Sequence, residues 1–174
     1  MKNGFCYKTV MGEITIIDNG EAIIELDFGN NLNKEIEIKE TQLIKEAKEQ
    51  LEEYFNGERK EFHLPLEPKG TEFQKQVWRA LRKISYGTTK TYKEIAVEVG
   101  NEKACRAVGM ANNKNPIPII IPCHRVIGSN KKLVGYAGGL ELKEKLLRLE
   151  KIFVKNNKNK RFCFGSSFFI LILN

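Results

Sequence analysis

The chain has 174 residues, 41% of them hydrophobic and 29% charged, which is enough apolar content to bury the core of one domain or two small ones. The longest apolar run, Phe168 to Leu173, is far below the ~20 residues of a membrane-spanning helix. Four cysteines at 6, 105, 123 and 163 lack C-x-x-C spacing, and two scattered histidines are a poor start for a zinc site, so a disulfide framework and a metal centre are both disfavoured.

The formal charge of +7 is unevenly distributed. Residues 1–70 carry 9 basic and 15 acidic side chains, residues 71–150 carry 15 and 7, and residues 151–174 carry 5 and 0. A basic second part on an acidic first part suggests contact with a polyanion; a merely solubilising basic surface is the other reading. Free thiols and no visible secretory leader point to a reducing, cytoplasmic setting.

In chain order, residues 5–11, 13–17 and 22–28 read as strands of a small antiparallel meander, with a tight turn at Asp18-Asn19-Gly20. The period then changes. Leu43, Ile44, Ala47, Leu51, Tyr54 and Phe55 fall on one face of a helix over 41–55, which Asn56-Gly57 ends. No chemical motif is evident in residues 1–63, and His63 reads as a surface or packing residue. Residues 64–70, with two prolines and a glycine, read as a linker.

A second part, residues 71–154, opens with a capping box at Thr71 and Gln74 and a helix buried through Phe73, Val77, Leu81 and Ile84, with Trp78 beside that stripe. Thr91 and Glu94 form another capping box for a short helix reaching Val99. Gly100-Asn101 turns the chain into a helix over 102–112 that packs through Ala104, Ala107, Val108 and Ala111. Helix, glycine turn and helix at this length match a helix-turn-helix, or an ordinary helical hairpin. Arg106 lies on the opposite face from Ala104 and Ala111, free to reach a partner. Gly128 to Lys132 reads as a turn. Gly135, Gly138 and Gly139 around Tyr136 suggest a loop where backbone approaches a ligand closely. A helix over 140–153 buries Leu142, Leu146, Leu149 and Phe153, with Glu150 at the edge of that face. Residues 155–174, basic and then apolar, are expected to be disordered and carry no assigned role.

Asn115 to Gly128, N-P-I-P-I-I-I-P-C-H-R-V-I-G, is the centre of the chain. Apolar surroundings raise a thiol's pKa, whereas a neighbouring imidazole or guanidinium favours the thiolate. Cys123 therefore reads either as a nucleophile beside its base or as a small buried hydrophobe that happens to precede His124 and Arg125.

P-C-H-R-V-I-G, preceded by N-P-I-P and by K-A-C-R-A-V-G, resembles the 6-O-methylguanine-DNA methyltransferases, also called methylated-DNA–protein-cysteine methyltransferases. The resemblance runs from F-Q-K-Q-V-W at Phe73, through Y-G-T-T-K-T-Y and G-Y-A-G-G-L, to Glu150; residues 1–70 fit only in size and element order. It implies an α+β fold: a small N-terminal antiparallel sheet with a helix, then a mainly helical domain with a winged helix-turn-helix. It implies irreversible transfer of the alkyl group of 6-O-methylguanine, or of 4-O-methylthymine, to Cys123, once per molecule and without a cofactor or metal.

In the roles the resemblance implies, Cys123 is the nucleophile and His124 accepts its proton through a water. Glu150 orients the imidazole, Tyr92 donates a proton to the departing base, and Asn115 holds the active-site turn. Tyr136, Ala137 and Gly138 line the pocket; many relatives carry serine at the position of Ala137. The stacked base must be flipped out, at a cost of a few kcal/mol, with Arg106 filling its place from the minor groove. Arg125, Ala107 and Gly109 complete the DNA-binding set. The partner is double-stranded DNA containing an alkylated guanine, met by a monomer away from membranes. Two rivals stand beside this reading. One is a non-enzymatic alkylated-DNA-binding or transcription-regulating helix-turn-helix protein; the other is a Cys-His hydrolase.

Overall fold

The computed structural model describes residues 1–151; residues 155–174 and the expected burial of Phe153 lie outside that range. Three antiparallel strands, β1 (Lys2–Thr9), β2 (Gly12–Asp18) and β3 (Ile23–Phe28), form the expected meander. A fourth, β4 (Ile36–Ile38), adds to the free edge of β1 in parallel, giving the order β3-β2-β1-β4. Three residues are too few to show an alternation that could be recognised beforehand. The turn after β2 is held by its own side chains: Asp18 accepts from Gly20 N, and Asn19 Oδ1 accepts from Glu21 N and Ala22 N. Gly20 sits at φ +95°, where a side chain would be strained.

Helix α1 (Gln42–Phe55) is capped by Thr41, whose hydroxyl accepts from Ile44 N and donates to buried Asp18. Its apolar face packs on one side of the sheet through Ile44, Ala47, Leu51, Tyr54 and Phe55. The sheet's other side is closed by Ile17, Ile24 and Ile36 with Leu32.

The outer edge of β3 does not face solvent. Ile23 N donates to Pro65 O, Glu67 N donates to Ile23 O, and Leu26 N donates to Pro116 O at 2.8 Å. The 64–70 segment and the start of the Asn115–Gly128 stretch are thereby laid along the sheet. One continuous core then runs from Ile14 and Ile16, through Tyr54, Val77 and Trp78, to Ile117, Ile121 and Leu146.

Both capping boxes form as expected, on α2 (Glu72–Arg82) and α3 (Tyr92–Glu98). Trp78 is buried and donates through Nε1 to Ala111 O at 2.9 Å, tying α2 to α4 (Cys105–Asn113). Helix α4 begins three residues later than its periodicity suggested. Asn101 spends its side chain on Lys103 N, and Ala104 stands at the N-cap without a side-chain bond. The rotation of α4 buries Val108, Ala111 and Asn112 and leaves Ala107 exposed, so Ala107 is not part of its packing face. Lys90–Thr91 (β5) pairs in parallel with Val126–Ile127 (β6), and α5 (Leu140–Leu149) closes the fold. Among the described residues no helix is long and apolar enough to cross a membrane.

Candidate active site

The segment before Cys123 is a tight, buried bend. Asn115 folds back on it: its Oδ1 accepts from Ile117 N at 3.1 Å and its Nδ2 donates to Ile121 O at 2.8 Å. Pro118 and Ile121 bridge, and Ile119 is held at φ +72° although it is β-branched and buried. A β-branched residue at such a φ persists only where the surroundings over-determine it. The bend delivers Cys123, His124 and Arg125 in a single 3-10 turn, all three buried. Asn112 at the end of α4 donates to Cys123 O at 3.4 Å.

Glu150, the residue that ends α5, is 2% exposed and lies at the centre of a network. His124 Nε2 is 2.9 Å from its Oε1, and Tyr54 of α1 donates to the same oxygen at 2.6 Å. Arg125 approaches both oxygens, Nε to Oε1 at 3.1 Å and to Oε2 at 3.0 Å, with Nη2 to Oε1 at 2.9 Å. Gly87 N donates to Oε2 at 3.0 Å, and Arg125 Nη1 donates to Ile84 O at 2.6 Å.

Burial alone would raise the Glu150 pKa; the hydrogen bonds from His124 and Arg125, with Arg125's charge, outweigh it and hold the carboxyl at about 2. Burial lowers the pKa of His124, more than Glu150 restores it, so the imidazole is neutral at pH 7 and Arg125 is the standing counter-ion. The carboxylate can only accept, so the proton of His124 resides on Nε2. Nδ1 is then the basic nitrogen. It is buried and has no hydrogen-bond partner in the protein.

Burial pushes the Cys123 thiol up to about 11; the Asn115 side chain, Lys143's charge and the N–H groups of Cys123 and His124 pull the other way without cancelling it. At pH 7 only about one molecule in ten thousand would hold a free thiolate. The resting residue is a thiol, and its use as a nucleophile requires a base.

A second buried cation faces the thiol. Lys143 is 0% exposed, and its three N–H groups meet Val126 O at 2.6 Å, Val134 O at 2.9 Å and Gly135 O at 3.4 Å. Burial lowers its pKa to about 8, which leaves it mostly charged at pH 7. Tyr92 donates to the same Val134 carbonyl at 3.0 Å, and its own pKa is pushed up to about 12 by burial and by Cys123. Tyr136 is buried against Phe28, and its hydroxyl has no partner in the protein; burial, then Cys123, raises its pKa well above the usual tyrosine value.

Ala137 is exposed. A Cβ on Gly138 would stand 2.9 Å from both Leu142 and Phe28, so glycine there lets the loop sit between α5 and β3. Tyr92 also lies under α4: a Cβ on Gly109 would be 3.8 Å from its ring. Arg106 and Ala107 are exposed on α4. A cavity of about 260 Å³ lies elsewhere, lined by Lys60, Arg82, Tyr86, Pro122 and Arg125 but not by Cys123, Tyr92 or Tyr136.

Residues 72–152 match the family profile described as "6-O-methylguanine DNA methyltransferase, DNA binding domain" and residues 5–68 match "6-O-methylguanine DNA methyltransferase, ribonuclease-like domain". The methylated-DNA–protein-cysteine methyltransferase of Methanosarcina acetivorans is 51% identical over 149 residues, covering 83% of this chain and 95% of that protein. The chain belongs to the 6-O-methylguanine DNA methyltransferase family. The constitutive methyltransferase of Bacillus subtilis is 48% identical over 157 residues, covering 85% and 94%. Among solved structures, Mycobacterium tuberculosis OGT in complex with DNA superposes with a TM-score of 0.80 at 42% identity, covering 86% of this chain and 92% of that one.

Within this methyltransferase fold, His124 meets Glu150, Cys123 precedes it in the same buried turn, and Asn115 braces that turn. Arg125 does not sit at a DNA surface: it is 5% exposed and committed to Glu150 and Ile84 O, because a buried carboxylate needs a buried cation. Three contributors were not foreseen. Tyr54 reads in sequence as one more apolar-face residue of α1, Lys143 as a solvent lysine, and Asn112 as a helix-end polar residue. Only an unusual polar atom on a buried helical position could have flagged them.

Proposed function

We propose that the protein repairs DNA by moving the methyl group of 6-O-methylguanine onto Cys123 Sγ, once per molecule. The observation that carries this reading is a buried, protonated Cys123 thiol in the same turn as His124, whose Nε2 is held by Glu150 and whose basic Nδ1 is unpartnered. Through a water, Nδ1 takes the thiol proton as Sγ attacks the methyl carbon. The C–O bond breaks with its electrons moving to the guanine oxygen. Tyr92, which keeps its proton at neutral pH, gives it to the departing base. Glu150 stabilises the imidazolium that forms, and Lys143 offsets charge on sulfur.

The unpartnered hydroxyl of Tyr136 and the backbone at Ala137 and Gly138 are read as the pocket that receives the flipped base, with exposed Arg106 and Ala107 and half-buried Gly109 at the duplex. Residues 1–63 and 71–154 serve as two domains joined by 64–70, the helix-turn-helix being winged by the β5–β6 region. The protein acts as a monomer on duplex DNA bearing an alkylated guanine, in a cytoplasm that keeps Cys6, Cys105 and Cys123 reduced. The thioether has no built-in route back to thiol, so the reaction is stoichiometric. Incubation with excess duplex carrying isotopically labelled 6-O-methylguanine tests this: label on protein should plateau at one methyl per chain. Continued turnover past that ratio, or no label at all, would contradict the reading.

A further inference from the structure

The N-terminal part contributes a polar atom to the reaction centre, from a helix whose other buried polar side chain, Gln50, bonds instead to the His63 backbone. Tyr54 lies on α1, 96 residues from Glu150 in sequence, and is 0% exposed. Its ring packs against Phe55, Phe62 and Tyr86, which fixes where the hydroxyl points. The hydroxyl donates to Glu150 Oε1 at 2.6 Å, and its oxygen lies 3.3 Å from His124 Nε2.

We propose that Tyr54 is a positioning residue for the alkyl transfer: by sharing Glu150 Oε1 with His124 Nε2, its hydroxyl holds the imidazole proton on Nε2 and keeps Nδ1 available as the base.

The assignment of protons follows from the donors. An ionised carboxylate offers no hydrogen, so the Tyr54 hydroxyl gives its hydrogen to Glu150. Its oxygen is left able only to accept, and the atom facing it is Nε2. Both neighbours of Nε2 therefore require an N–H there. The hydroxyl also takes up part of the carboxylate's charge, which moderates the pull of Glu150 on the imidazole. Among the described residues, Glu150 and Lys143 from α5, Arg125 from its own turn, and Tyr54 from α1 bear on His124, with Tyr86, whose ring lies 5.8 Å from the Arg125 guanidinium carbon, behind them. Of these, only Tyr54 lies in the N-terminal part. Without its hydroxyl, Nε2–H turns wholly to a less satisfied carboxylate, the imidazolium is favoured, and the base is lost to protonation at higher pH.

The inference rests on the methyl-transfer reading above. Its test is the pH dependence of the single-turnover rate on 6-O-methylguanine duplex for the full chain and for Tyr54→Phe, which keeps the ring and its packing. The acid limb of the rate profile should move up by about 0.5–1 pH unit in the variant, lowering the rate about three- to tenfold on that limb and leaving it near wild type at high pH. A superimposable profile, or a uniform loss at every pH, would overturn the proposal and leave Tyr54 a packing residue. In the unmodified protein, imidazole nitrogen NMR gives an independent check: His124 should be neutral with the proton on Nε2, and a proton on Nδ1 would refute the assignment. Absence of any transfer by the wild-type protein would instead defeat the underlying reading.

Discussion

Replacing Glu150 with glutamine removes one charge from a fully enclosed site while preserving its shape. In the native protein the carboxylate accepts from Arg125, His124, Tyr54 and Gly87, and its pKa lies at about 2 against an ordinary 4.5. At about 1.4 kcal/mol per pKa unit, that depression corresponds to roughly 3–4 kcal/mol of stability. Because the folded pKa is depressed, that contribution is complete above pH 4.5 and disappears as pH falls through 2. Glutamine has a single acceptor oxygen, so it can keep the bond from Tyr54 or the one from Gly87 but not both, and it leaves Arg125 buried without an anion, a situation that typically costs about 3–5 kcal/mol. Urea unfolding of both proteins at pH 7 should show a deficit of about 3 kcal/mol or more in Glu150→Gln at unchanged m-value, and the deficit should narrow on acidification toward pH 2.5. A deficit below about 1 kcal/mol at pH 7, or one independent of pH, would refute the buried ion-pair account.

Lys143→Met should lower stability by about 1–3 kcal/mol, because the buried Val126 carbonyl loses its donor, whereas the Val134 carbonyl keeps the Tyr92 hydroxyl. The same change should raise the thiol pKa, visible as slower iodoacetamide labelling of Cys123 at pH 8–9 by mass spectrometry. Arg106→Ala, on an exposed helix face, should leave the unfolding free energy within about 0.5 kcal/mol of wild type and weaken binding to lesion-bearing duplex, with the log–log salt slope reduced by up to about 1 if Arg106 also contacts a phosphate.

Local rules and apolar periodicity made much of this fold legible. Thr71 with Gln74 and Thr91 with Glu94 announce their helices because a capping box is satisfied within four residues. The α1 face and the Asp18–Gly20 turn are equally local. The start of α4 was misplaced because Asn101 could cap a helix but instead closes a turn on Lys103. The nucleophile and its base adjoin in sequence, so they were readable as a pair, and Glu150 was placed by a helical stripe and a family likeness. What stayed hidden was the long-range chemistry. Nothing near Tyr54 distinguishes a hydroxyl aimed at Glu150 from a ring in a core, and nothing near Lys143 says that its ammonium meets three carbonyls from β6 and the Val134–Gly135 loop. The same reason misplaced Arg125: adjacent charged residues read as surface until the carboxylate that buries one of them is located 25 residues away.

The central claim is that Cys123 accepts the alkyl group. Intact mass spectrometry after incubation with a 6-O-methylguanine duplex, beside a Cys123→Ala control, tests it most directly. The account predicts a gain of one methylene unit, mapped to the Cys123 peptide and absent from the control. An unchanged mass despite binding to the lesion, or a gain that persists in Cys123→Ala, would contradict it.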